Sequence, residues 1–86
     1  MLAEDDILVA DDLACELDAG GQFRTFISPS IEEAFRFLDS EIIEFSILNV
    51  GLRDGLCYPL AKRLRTQNIP FIFLTSFEIK IGRAHV

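Results

Sequence analysis

Eighty-six residues with a net charge of −6 and a pI near 4.5 leave room for one small domain. That balance argues against binding of nucleic acid or an anionic membrane by this chain alone. Half of the residues are apolar and 26% are charged, which excludes a disordered tail and describes a globular chain.

Glu4, Asp5 and Asp6 follow Met1 almost at once, so no signal peptide is expected in this stretch. Ile7 to Ala19 reads as a helix, with Ala10, Leu13, Ala14 and Leu17 on one apolar stripe. Asp6 suits its N-cap and Gly20-Gly21 its stop. Ile7 to Ala10 followed by Asp11-Asp12 also resembles a buried strand ending in an acidic pair, which leaves only a very short helix before the next strand. The other reading puts the first strand at Met1 to Ala3.

Phe23 to Ile27 reads as a short strand. Ser30 caps a second helix with Glu33 at capping-box spacing, and Ile31, Ala34, Phe35 and Leu38 form its buried face. Phe45 to Val50 suits a central strand, and Gly51 to Gly55 a loop. A third helix follows, with Pro59 in its first turn and Leu60, Ala61 and Leu64 inside. Asn68 and Pro70 end it before an apolar strand, Phe71 to Thr75. Helices alternating with apolar strands predict an α/β parallel sheet covered on both faces.

Cys15 and Cys57 lie far apart, with no C-x-x-C or Cys/His ligand spacing, so no zinc site is indicated. Both read as buried or half-buried thiols of a reducing compartment. Cys57 stands near a helix start, a position that lowers a thiol pKa. The longest apolar run, Ile69 to Leu74, is too short to span a membrane, and a cytoplasmic location is expected.

Ligands of open parallel sheets bind beyond the carboxyl ends of the strands. The polar residues at those ends are Glu4, Asp5 and Asp6, then Asn49, then Thr75. Oxygen donors of this kind suit a hard divalent cation such as Mg²⁺. Acidic residues at strand ends also cap helices and keep loops hydrated, which is their commoner duty.

Four segments in order resemble the receiver domain of two-component response regulators. Leu2 to Ala14 is similar to that family's opening, in which a first strand ends in two acidic residues. Ser46-Ile47-Leu48-Asn49-Val50-Gly51-Leu52 resembles its third strand, with Asn49 where the phosphate-accepting aspartate normally stands. Gly55 to Ala61 resembles the start of its third helix, and Ile69 to Thr75 its fourth strand, which ends in a hydroxyl residue. Asp5 precedes Asn49 by 44 positions, the separation that the family's acidic pair keeps, whereas Asp12 precedes it by 37. The resemblance therefore favours a first strand at Met1 to Ala3 and the pair Glu4 and Asp5.

What the resemblance implies is a flavodoxin-like, three-layer parallel sheet with strand order 2-1-3-4, incomplete because the family's fifth strand and last two helices have no counterpart. Residues 1–76 are expected to be a partial receiver domain and residues 77–86 a tail. The string Ile81 to Val86 is also what a common sequencing-adapter sequence encodes, and its only histidine, His85, is read as no ligand. The missing part is expected to leave one sheet edge open to self-association.

The implied role is two-component phosphorelay signalling with a sensor histidine kinase or phosphotransfer protein as partner, and no enzymatic activity of its own. Mg²⁺ is implied at Glu4, Asp5, Asn49 and the backbone carbonyl of Gly51, weakened because Asn49 is uncharged. Thr75 is implied as the hydroxyl that senses the phosphoryl group. The amide of Asn49 is a poor nucleophile, so phosphorylation at this position is not expected. The alternative is a non-phosphorylatable pseudo-receiver that acts as an interaction module. A nucleotide- or flavin-binding enzyme is disfavoured, because neither G-x-x-x-x-G-K-[ST] nor G-x-G-x-x-G occurs and three carboxylates follow the first strand. No Ser/His/Asp or Cys/His constellation is available outside the tail.

Overall fold

A computed structural model describes residues 1–74 and the backbone of 79–82. Among the described residues, three helices and seven strands follow one another as β1 (Leu2–Ala3), α1 (Ile7–Asp18), β2 (Ile27–Ser28), α2 (Ile31–Ser40), β3 (Ser46–Asn49), β4 (Gly51–Leu52), β5 (Gly55–Leu56), α3 (Tyr58–Thr66), β6 (Phe71–Leu74) and β7 (Ile79–Gly82). The main sheet runs β2-β1-β3-β6-β7. Its first four strands are parallel, in register Leu2↔Ile27, Leu2↔Ile47 and Ile47↔Ile72.

The period of two along the strands divides the apolar residues between the two faces. Ala3, Leu48 and Phe71 pack with Ala34 and Leu38 of α2 and Leu60, Ala61 and Leu64 of α3. Leu2 and Ile47 pack with Ala10 of α1, flanked by half-buried Leu13, Leu17, Ile27, Ile72 and Leu74. The result is three layers, with α1 alone on one face and α2 and α3 on the other.

Helix ends follow their local chemistry. Asp6 takes the N-cap of α1 and accepts from the N–H groups of Leu8 (3.0 Å) and Val9 (3.4 Å). The choice of Met1 to Ala3 as the first strand region agrees with the structure, and Ile7 to Ala10 is helical. Asp11 and Asp12 are exposed on α1. Ser30 caps α2 by accepting from Glu33 N–H at 3.1 Å. At the end of α3, Ile69 N–H reaches Leu64 O and Asn68 N–H reaches Arg65 O, with Asn68 at φ 58°. This is a Schellman stop with asparagine in the left-handed position, and Ile69 packs onto the core that holds Leu64.

Four expectations are corrected. The second strand is Ile27–Ser28, because β1 offers only two residues to pair with, and Phe23 instead packs edge-on against Phe45 at 5.9 Å. Gly51 to Gly55 is not an open loop: β4 and β5 form a hairpin around Arg53-Asp54, with Gly55 at φ 136°, where a side chain would be strained. Cys15 is exposed, since it lies on the solvent side of the α1 stripe. Residues 79–82, expected in a tail, run antiparallel to β6 in register Ile72↔Ile81, so β6 is not the edge of the sheet.

Candidate functional site

The parallel sheet ends β1 and β3 side by side, and their carboxyl ends deliver Glu4 and Asn49 to one place. Glu4 follows β1 directly and is buried at 5% exposure, whereas Asp5 and Asp6 are exposed. Its Oε1 accepts from Asp6 N–H at 3.0 Å and from Asn49 Nδ2 at 3.3 Å. The same Nδ2 donates to the carbonyl oxygen of Gly51 at 2.9 Å. One amide nitrogen thus ties the β1–α1 turn, the end of β3 and the start of β4.

Burial is the main reason that the Glu4 carboxyl titrates above its ordinary range; the Asp6 N–H opposes this, and the Asp5 carboxylate beside it adds to the rise. A second fixture holds the hairpin. Asp54 accepts from Ile31 N–H at 2.7 Å and Glu32 N–H at 3.1 Å, so it caps α2 from across the fold. Those N–H groups hold its carboxyl below the usual range, Ile31 contributing most. Arg53 N–H also donates to Pro29 O at 3.2 Å.

Three of the four residues expected to hold Mg²⁺ are joined here by hydrogen bonds, namely Glu4, Asn49 and Gly51. Asp5 neighbours Glu4 without sharing its burial. Thr75 lies outside the described residues. The donor set does not fit a resident Mg²⁺, which needs oxygens, some of them water, converging on one point in near-octahedral array, whereas position 49 turns a nitrogen donor to its neighbours. Glu4 Oε1 and Gly51 O both accept from Asn49 Nδ2, so a nitrogen donor stands between the two oxygens that a cation would have to draw together. Among the described residues, no three His, Cys, Asp or Glu side chains group as metal ligands.

Around this site the surface is apolar. Ile7 and Leu8 in the first turn of α1 are 60% and 74% exposed. Leu56, in the second strand of the hairpin, and Tyr58, at the start of α3, are 57% and 55% exposed. Neither pair has an exposed role in the sequence pattern: Ile7 and Leu8 fit a helix or a buried strand, and Leu56 and Tyr58 the start of the third helix. Cys57 sits at the N-cap of α3, as expected, yet it is fully buried and burial raises its thiol pKa, which corrects the expected lowering.

A cleft of about 380 Å³ lies at the opposite, amino-terminal ends of the strands, lined among others by Met1, Phe23, Arg24, Ile42 and Phe45. In open parallel sheets ligands bind at the carboxyl ends of the strands, away from this cleft. Among the described residues, no helix is long and apolar enough to cross a membrane. No family model, curated protein or solved structure matches the chain.

Proposed function

We propose that the chain is a flavodoxin-like, receiver-type module of two-component signalling that engages its partner without accepting a phosphoryl group. The observation that carries this reading is the Asn49 amide, bonded through Nδ2 to Glu4 and Gly51 at the carboxyl end of β3. The strand order β2-β1-β3-β6 supports it by bringing the two ends together. An amide there has no charge and no free carboxylate oxygen with which to attack a phosphohistidine. The phosphorylatable receiver, the other form of this reading, needs a carboxylate at position 49.

Binding is the activity that remains. Ile7, Leu8, Leu56 and Tyr58 present apolar surface at the same end of the sheet, next to the carboxylates Asp5 and Asp6. A sensor histidine kinase or phosphotransfer protein is the proposed partner, docking an apolar helix face there. Its basic side chains would meet the acidic start of α1.

The chain incubated with acetyl phosphate and Mg²⁺ should show no change in intact mass. A stable gain of one phosphoryl group would contradict the binding-only function.

A further inference from the structure

The hydrogen bonds of Asn49 carry a second consequence, one that concerns the cation itself. Glu4 is a carboxylate at 5% exposure, and such a group needs strong partners. The two donors to its Oε1 are Asp6 N–H at 3.0 Å and Asn49 Nδ2 at 3.3 Å. The remaining reach of Nδ2 goes to Gly51 O at 2.9 Å. A side-chain amide nitrogen carries two N–H hydrogens, enough to serve both oxygens.

We infer that Asn49 takes the place of a divalent cation, its amide hydrogens holding Glu4 and Gly51 together so that the site closes without metal. The inference rests on the proposed function only for where a cation would sit. A bound cation at this end of the sheet draws carboxylate and carbonyl oxygens toward one positive centre. The amide NH₂ group supplies the same service as a fixed partial positive charge on a side chain. It spans the same segments: the residue after β1, the end of β3 and the first residue of β4.

For Mg²⁺ to enter, Asn49 has to turn its oxygen inward and release both oxygens that it holds. The cation would then gain one neutral ligand from position 49 in place of a charged one. Mg²⁺ also gives up its water shell reluctantly. The latch and the cation therefore compete, and the latch is covalently part of the chain.

The same network fixes the hairpin. Gly51 is held by Asn49, and Asp54, three residues on, holds the first N–H groups of α2. The turn after β1, the hairpin and the start of α2 are thereby bound into one arrangement that no ion has to complete.

Thermal melts of the full chain, followed by circular dichroism in EDTA and in millimolar MgCl₂ at matched ionic strength, test this. The midpoint of the natural chain should be the same in both. Asn49→Ala, which removes the latch without adding charge, should melt lower and stay indifferent to Mg²⁺. Asn49→Asp gathers a further carboxylate beside Glu4 and Asp5 and should melt lower in EDTA and recover in Mg²⁺. If that variant is unfolded in EDTA, refolding on Mg²⁺ addition reads the same recovery. A midpoint of the natural chain that rises with Mg²⁺ overturns the inference. Phosphoryl uptake would defeat the proposed function, whereas a Mg²⁺-dependent melt would defeat the latch, so the two failures are distinguishable.

Discussion

Glu4 is a buried carboxyl at the end of β1, and Asn49 Nδ2 donates to it at 3.3 Å from the end of β3. Their placement at neighbouring strand ends is an expectation that the resemblance carries, and β1 and β3 do pair side by side there. Which atom of the amide faces Glu4 is not encoded in spacing; it follows from what surrounds it, a buried carboxylate oxygen and a carbonyl, both acceptors. The cysteines make the same point. Cys57 stands at a helix start, as its position suggests, but burial outweighs the helix end and raises its pKa, while Cys15 falls on the wet side of α1. Iodoacetamide should therefore modify Cys15 readily in the native chain. Cys57 should react about a hundredfold more slowly, for a local opening of about 3 kcal/mol. Equal rates at the two thiols would contradict the burial.

At the scale of elements, the helices were legible and the short strands were not. Asp6, Ser30 and Asn68 carry cap chemistry within a few residues of the ends that they set, so the limits of α1, α2 and α3 could be read locally. β2 shrinks to two residues because its neighbour β1 has only two, a fact of pairing that Phe23 to Ile27 does not contain. The β4–β5 hairpin depends on Asp54 reaching α2, some 22 residues away. Its folded carboxyl is depressed by the N–H groups of Ile31 and Glu32, so it stabilises the fold above its unfolded pKa. That contribution disappears as pH falls through the lower, folded value. Asp54→Ala should lower the melting midpoint near neutral pH, and the gap from the natural chain should narrow below about pH 4. A gap that is constant across that range would mean that the carboxylate is not the cap.

The whole molecule is a thin sheet with unequal cover. α2 and α3 bury Leu48 and Phe71 on one face, whereas α1 alone serves the other and leaves Ile72 and Leu74 half-buried. The parallel order of four strands was legible because apolar strands alternate with helices. The antiparallel β7 was not: Ile79-Lys80-Ile81-Gly82 alternates apolar and polar residues, but so short an alternation does not say which strand it pairs with or in which direction. Small domains of this size keep a narrow stability margin, and here the latch at Asn49 adds to a β1 ladder only two residues long.

The most direct test compares ¹H–¹⁵N spectra of the whole chain alone and with Mg²⁺ plus acetyl phosphate. The account predicts superposable spectra, with both side-chain amide protons of Asn49 slow to exchange with water. Shifts that cluster at Glu4, Asn49 and Gly51 on addition, with fast-exchanging Asn49 amide protons, would contradict it.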